Sequence, residues 1–365
     1  MKKTGTRILA LLFAGIMMFS AAGCSQDNSA DKANTSSAVS EQKKEADALS
    51  LWKKDAPLKK KLTKYIKTVT DKNSKDFIPV ADRIAVFDMD GTLCCETDPG
   101  YFDHKILYYR VMEDPNYKDK ASDEEKAVAK EIKKYFETGE YPEDLSVKHG
   151  KAVASAFKGM TLDEFDAYVK KFGKTPMESY TNLTNGKAFY KPMVQVVDYL
   201  NEKDFTVYVV SGTDRFITRA LCDGNIDIPY SQMIGSDENL VASNQGSEDG
   251  LDYTFDKKDK LITGGKFIIK NLKMNKVSVI AKEIGKQPVL SFGNSSGDFA
   301  MDNYTINNNK YKAGAYMLCC DDTTRENGNK EKADKMYDSC KENGYTAVSM
   351  KNDWTTIYGK DVKKK

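Results

Sequence analysis

Arg83-Ile84-Ala85-Val86-Phe87-Asp88-Met89-Asp90-Gly91-Thr92 is the stretch on which the reading of this chain turns. The run up to Phe87 is short and apolar, which predicts a buried strand ending at Asp88. In an open parallel sheet, residues just past the carboxyl end of a strand border the ligand crevice. Asp88 and Asp90 are therefore placed where chemistry takes place, one able to attack as a nucleophile while the other gives and takes protons. Two carboxylates this close repel each other, and a divalent cation relieves the repulsion most readily.

Three further segments repeat the pattern of polar residues at strand ends. The strand Phe205–Val210 ends in Ser211-Gly212-Thr213, where the Ser211 hydroxyl and the Gly212 amide can hold an anionic oxygen. Lys276 opens an amphipathic helix over about 276–285 carrying Val279, Ile280 and Ile284, and its ammonium can neutralise both a nucleophile and a phosphate. Lys270 and Lys273 stand close by and compete with it for that role. The strand Val289–Phe292 ends in Gly293-Asn294-Ser295-Ser296-Gly297-Asp298, with Asp302 one helical turn on. Such oxygen-rich turns suit a hard cation that keeps some of its waters, as magnesium does.

The rest of the chain supplies the frame. Leu58, Leu62, Tyr65, Ile66 and Val69 recur at helical spacing after Pro57, and further strands are expected at 231–234, 315–319 and 346–349. Gly- and Asp-rich turns between 246 and 265, with alternating segments on either side, predict a β-hairpin. Between 96 and 186 the apolar residues form helical stripes, one of them opened by a Thr161–Glu164 capping box. The expected architecture is α/β: a Rossmann-like parallel sheet core from 56–95 and 187–365, with an inserted, mainly α-helical cap domain over 96–186.

Composition narrows the function. The 365 residues are 40% hydrophobic and 30% charged, as in an ordinary globular protein. Lys+Arg 56 against Asp+Glu 54 leaves a net charge of +2, too little for a nucleic-acid binder that works by neutralising phosphates. His104 and His149 are the only histidines, which speaks against a multi-histidine metal cage. Met1 to Arg7 is basic, and the apolar run from Ile8 to Gly23 is shorter than the roughly 20 residues that span a bilayer. Residues 1–23 read as a secretory signal peptide. Ala21-Ala22-Gly23-Cys24 resembles the lipobox of bacterial lipoproteins, which would make Cys24 the lipidated N-terminus and anchor the chain to the cell membrane, outside the cytoplasm. Residues 24–55 read as a flexible linker, rich in Ser, Ala, Asp and Lys as far as about Leu49. Of the remaining cysteines, Cys94–Cys95 and Cys319–Cys320 are adjacent pairs that rarely bridge, and no CxxC marks a zinc site.

Taken in order, the four strand-end signals resemble those of the haloacid dehalogenase-like hydrolases over about residues 80–320, most specifically at Asp88–Thr92 and Gly293–Asp298, and within them the phosphoserine phosphatase-like branch. The resemblance implies that Asp88 forms an aspartyl-phosphate and that Asp90 is the general acid and base. Ser211 and Gly212 would hold the phosphoryl group and Lys276 would steady its charge. Mg2+ would be taken by Asp88, the Asp90 main-chain carbonyl and Asn294 or Asp298. One position departs from that branch: Asn294 stands where an Asp usually follows the first Gly, which passes the acidic role to Asp298, directly or through water. The implied activity is a magnesium-dependent phosphomonoesterase acting on a small organic phosphate. A non-catalytic organophosphate-binding lipoprotein and a phosphotransferase with the same nucleophile are the alternatives.

Specificity in that family lies in the cap and in the loop leading to it. Glu96 in this loop would suit a cationic group, and Tyr101, Phe102, Tyr108 and Tyr109 could box a quaternary ammonium, unless they form the cap's own core. Phosphocholine and phosphoserine are the substrates this suggests. Arg215 would either touch substrate or pair with Asp214.

Overall fold

A computed structural model of the chain describes residues 49–365. The expected signal peptide, Cys24 and the expected linker as far as residue 48 lie outside the described residues. One sheet organises the rest, built from β1 Ile84–Phe87, β2 Thr206–Asp214, β3 Met233–Ala242, β4 Leu261–Ile269, β5 Leu290–Gly293, β6 Gly314–Cys319 and β7 Thr346–Ser349. They lie in the order β4-β3-β2-β1-β5-β6-β7, and every neighbouring pair is parallel except β3 with β4. The chain goes to one side of β1 for β2 and to the other for β5. Such a switch in strand order opens a crevice at the carboxyl ends.

All four residues of β1 are buried. On one face Phe87 stacks on Phe292 with ring centroids 4.1 Å apart, and Phe292 stacks in turn on Tyr316 at 5.0 Å. On the other, Ile84 and Val86 pack with Val210, Ile234, Ile280 and Met301. Apolar cover on both faces explains why this strand reads as an unbroken hydrophobic run rather than an alternating one.

Helix α1 (Pro57–Thr70) buries Leu58, Leu62, Tyr65, Ile66 and Val69 and turns its lysines to solvent. Between β1 and β2 the chain inserts α2 (Phe102–Met112), α3 (Asp123–Thr138), α4 (Leu145–Ala156) and α5 (Leu162–Phe172). The Thr161–Glu164 capping box starts α5, and a second, Ser122 with Glu125, starts α3. The insertion shares one hydrophobic cluster with the sheet. It is also tied to β4, where Gly159 N–H donates to Thr263 O and Thr263 N–H donates to Met160 O. Helix α6 (Lys191–Glu202) then leads into β2, which α7 (Arg215–Cys222) follows directly.

The structure moves several boundaries. The strand expected to stop at Val210 continues to Asp214, but its register with β3 breaks between those residues, so Ser211–Thr213 form an irregular stretch past the last β1 pairing, Phe87 with Val209. The strand expected over 231–234 runs on to Ala242 to form the hairpin with β4. The expected helix at 276–285 is a short α8 (Met274–Val279) followed by a π-helical turn, Ile280–Ile284.

The linker expected as far as residue 55 also ends sooner. Leu49, Trp52 and Ala56 are buried. Trp52 Nε1 donates to Pro192 O at 2.9 Å, and its ring meets Trp354 edge-on at 5.8 Å. An aromatic anchor of this size can hold the start of the chain to the domain, and a low-complexity composition around it conceals that. Trp52→Ala is expected to lower stability by about 3–5 kcal/mol, measured by urea denaturation; an unchanged midpoint would return residues 49–55 to the linker.

Candidate active site

Asp88 follows β1 directly, and its N–H continues the ladder by donating to Phe292 O at 2.9 Å. Its side chain meets Lys276, whose Nζ donates to Asp88 Oδ1 at 2.6 Å and to Asp298 Oδ1 at 2.7 Å. The Lys276 side chain has no exposed surface. Among the three candidate lysines it is Lys276 that reaches the Asp88 carboxylate. Helix α8 is positioned for this because Lys273 N–H donates to Gly297 O, joining the start of the helix to the turn after β5.

The other oxygen of Asp298 accepts the N–H groups of Asn294 and Ser295, each at 3.1 Å. With one oxygen on the lysine and the other on turn amides, Asp298 is occupied as the holder of Lys276. Asp298 and Asn294 are the two residues of this turn expected as metal ligands, and Asp298 in addition anchors the lysine. Asp302 is buried, and burial together with Asp298 holds its carboxyl well above the usual range.

Asp90 takes a different partner. Thr213 Oγ1 donates to Asp90 Oδ2 at 2.7 Å, a contact between residues 123 positions apart. Ser211 Oγ accepts the Thr213 N–H at 3.0 Å and Ser211 O accepts from Asn271 Nδ2 at 3.0 Å, which leaves the Ser211 hydroxyl proton free to donate. At Gly212 a Cβ would come within 2.7 Å of Leu272 Cδ2, so a side chain there would push the turn away from its neighbour. Thr213, whose part in holding Asp90 was not foreseen, is found by the register break in β2 that turns its hydroxyl to the crevice.

Asp88, Thr92 and Asn294 supply hard oxygen donors on one side of the site. Thr92 Oγ1 lies 3.3 Å from Asp88 Oδ2 and 3.5 Å from Asn294 Oδ1, so both oxygens converge on one hydroxyl. Asn294 Nδ2 points the other way and donates to Glu96 Oε1 at 2.9 Å. Gly91 makes this approach possible: its φ is +78°, and a Cβ would stand 1.9 Å from Asn294 Nδ2 and 2.5 Å from Glu96 Cδ. Oxygen-only donors, one of them an ionisable carboxylate, fit Mg2+.

Electrostatics set these groups apart from surface carboxylates. Burial, then the Asp298 charge, pushes Asp88 up to about 7 against the pull of Lys276. Burial, then Asp103 and Asp88, pushes Asp90 up to about 8. Glu96 is likewise pushed up to about 8 by burial and by Asp88 and Asp90. Against burial, Asp298 and Asp88 keep the Lys276 ammonium charged.

A cleft of about 610 Å³ reaches this group at Glu96 and Asn294 and is bordered also by Tyr101, Tyr135, Ser295 and Lys332; Asp88, Asp90, Ser211 and Lys276 do not line it. Of the aromatics expected to line it, only Tyr101 does. Phe102 and Tyr109 pack on Phe172, and Tyr108 packs against the core. Tyr135, from α3, takes the place beside Tyr101. Arg215 does not pair with Asp214. It forks onto Asp237 at 2.6 and 2.8 Å and reaches Glu283, while Asp214 caps the next helix by accepting from Phe216 and Ile217 N–H.

Comparison with known proteins finds several solved structures to which the chain is similar. No family model matches the chain, and no curated protein does. A conserved protein of unknown function from Anaerococcus prevotii is similar at 17% identity, over 80% of this chain and 91% of that one, with a TM-score of 0.49. A phosphoserine phosphohydrolase-like protein from Francisella tularensis is similar at 13% identity, over 70% and 92% of the two chains, with a TM-score of 0.37. A phosphoserine phosphatase solved as an analogue of its phospho-aspartyl intermediate is similar at 16% identity, over 65% and 87%, with a TM-score of 0.34.

The raised carboxyls make a prediction about stability. Unfolded, Asp88 and Asp90 lose their protons near pH 4; folded and metal-free, they keep them to about pH 7 and 8. Their contribution is therefore present at low pH and is lost as pH rises through that interval. In chelator the urea midpoint should fall between about pH 5 and pH 8, and millimolar Mg2+ should flatten the fall by favouring the ionised forms. A midpoint that climbs over this interval would contradict a carboxylate cluster held protonated.

Proposed function

We propose that this chain is a magnesium-dependent phosphomonoesterase of small organic phosphates, working through an aspartyl-phosphate on Asp88 and anchored to a bacterial membrane by lipidated Cys24. The observation that carries the reading is a pair of carboxyls at one strand end in two different settings. Asp88 lies against the Lys276 ammonium, which favours its ionised, nucleophilic form. Asp90 is held instead by the neutral Thr213 hydroxyl, and burial pushes it up, which favours a proton it can give. Two acids whose surroundings separate their protonation states are what nucleophile and acid chemistry on one substrate require.

In the first step the Asp88 carboxylate attacks phosphorus and Asp90 protonates the departing alkoxide, releasing an alcohol. In the second, Asp90 takes a proton from water, whose oxygen attacks the same phosphorus, freeing inorganic phosphate and restoring Asp88. The Ser211 hydroxyl, the Gly212 amide and Lys276 hold the phosphoryl oxygens as charge gathers on them. Mg2+, held by Asp88, the Asp90 main-chain carbonyl and Asn294 or Asp298, would supply further positive charge there.

Glu96 and Tyr101, joined by Tyr135, point to a substrate with a cationic group, phosphocholine or phosphoserine. A cation there would draw the proton off Glu96 and share its charge, with the aromatic faces contributing further.

A phosphate-release screen over a metabolite panel, with Mg2+ and with chelator, tests the activity. Asp88→Asn should abolish release and Asp90→Asn should slow it by about 10²–10⁴-fold. Release that survives Asp88→Asn would remove the covalent mechanism, and tight phosphate-ester binding without turnover would favour the binding-protein alternative. Specificity is tested separately: Glu96→Gln should raise KM for phosphocholine by roughly tenfold while leaving an uncharged aryl phosphate unaffected. Equal effects on both substrates would discard the cationic group.

A further inference from the structure

At the end of α2 far from Tyr101, the helical insertion forms a second cavity of about 490 Å³, which shares no lining residue with the cleft at Glu96. A hollow of this size suits a small molecule. Its walls are aromatic, with Tyr109, Tyr117, Tyr168 and Phe172 among them, and Arg110 from the last turn of α2 opens onto it.

Arg110 is the unusual member, because it is only 6% exposed. Its guanidinium carbon lies 4.0 Å from the ring centroid of Tyr117, 4.5 Å from that of Phe157 and 4.9 Å from that of Tyr168. Three rings therefore fix the group and keep water from its faces. Nε–H donates to Ala156 O at 2.6 Å, and the Tyr168 hydroxyl oxygen accepts from another of its nitrogens. The paired carboxylate, Asp114, has Oδ2 4.0 Å from Nη1, beyond hydrogen-bonding reach. Asp114 is in any case occupied: Oδ2 accepts from the Tyr168 hydroxyl at 2.7 Å and Oδ1 from Asn116 N–H at 3.0 Å. A buried guanidinium in this setting has N–H donors to spare.

Three lysines stand at the mouth of the same cavity: Lys120 ahead of α3, Lys158 just after α4 and Lys171 in the last turn of α5. None of their ammonium groups has a hydrogen-bond or ion-pair partner among the described residues. Four cations thus border the cavity against one carboxylate. Glu125, bonded to the Tyr117 hydroxyl, does not line it and is held by Ser155 and by its own capping box. A hollow walled by one sign of charge concentrates ligands of the other.

We propose that this cavity binds a small phosphorylated ligand with an aromatic body, at a site separate from the crevice at Asp88. An excess of several positive charges in so small a space calls for an anion that carries its charges close together, as a phosphate or diphosphate does. The planar guanidinium and the lysines suit its oxygens, and the faces of Tyr109 and Phe172 suit a flat apolar group. Occupancy here does not depend on the reaction at Asp88.

Equilibrium dialysis of the full chain tests the site, with adenosine diphosphate as probe and adenosine as the uncharged control. Metal is removed beforehand on a chelating resin, so that no polyanionic chelator competes. Adenosine diphosphate should bind with Kd below about 1 mM, and adenosine at least roughly tenfold more weakly. Replacing both exposed lysines, Lys158→Gln with Lys171→Gln, should weaken the diphosphate by about three- to tenfold without disturbing the fold. Arg110→Lys keeps a charge beside Asp114 but loses the planar fork, and should weaken it by roughly tenfold or more. No binding at millimolar diphosphate overturns the proposal, as does equal affinity for adenosine. Binding that the lysine pair leaves unchanged also overturns it, because the diphosphate would then lie in the crevice.

Discussion

A lysine ammonium with no exposed surface is tenable only if carboxylates surround it, and the bridge from Lys276 to Asp88 and Asp298 meets that condition. The rest of the crevice is arranged around it. Asp88 comes from the end of β1, Asp298 from the turn after β5 and Lys276 from α8, so the contact exists only because β1 and β5 lie side by side. Removing any one member would leave uncompensated charge in a dry place, a cost of several kcal/mol that sets the bridge apart from the many surface ion pairs of this chain.

Around that bridge the site gathers more carboxyls than it has cations to balance. Asp90 and Glu96 are both pushed toward their protonated forms by burial and by each other's neighbours. Under the proposed function this imbalance has a use: the proton on Asp90 would be available to a leaving group, and the deficit of positive charge would draw in a divalent cation. Gly91 belongs to the same economy of space: only without a side chain there can Asn294 turn its oxygen to the Thr92 hydroxyl and its nitrogen to Glu96.

The helical insertion serves as wall more than as lid. It packs into the same apolar cluster as the sheet and hydrogen-bonds to β4, so its contribution to the site is fixed by the core rather than by a hinge. One turn of α2 faces both ways, Tyr101 toward the cleft and Asp103 toward His104 and His149. Glu326 steadies the approach to this turn, accepting from Thr97 Oγ1 at 2.7 Å and from the hydroxyls of Tyr180 and Tyr358.

What could be read along the chain was whatever depends on neighbours in sequence. The apolar run 84–87, the two-residue spacing of Asp88 and Asp90, the capping box at Thr161 and the stripe of α1 all follow from local periodicity, and they sufficed for the sheet, the helical insertion and the place of the crevice. Contacts between distant residues could not be read in this way. That Lys276 rather than Lys270 or Lys273 meets Asp88, 188 positions away, depends on where α8 is pinned. That Asp298 holds the lysine, that Thr213 holds Asp90, and that Phe102 and Tyr109 are core while Tyr135 is cleft are equally non-local. Sequence by itself determined which residues stand at the ends of the strands; only the packing of strand beside strand and helix beside helix decided their partners, because a side chain's charge and protonation are set by what is buried against it.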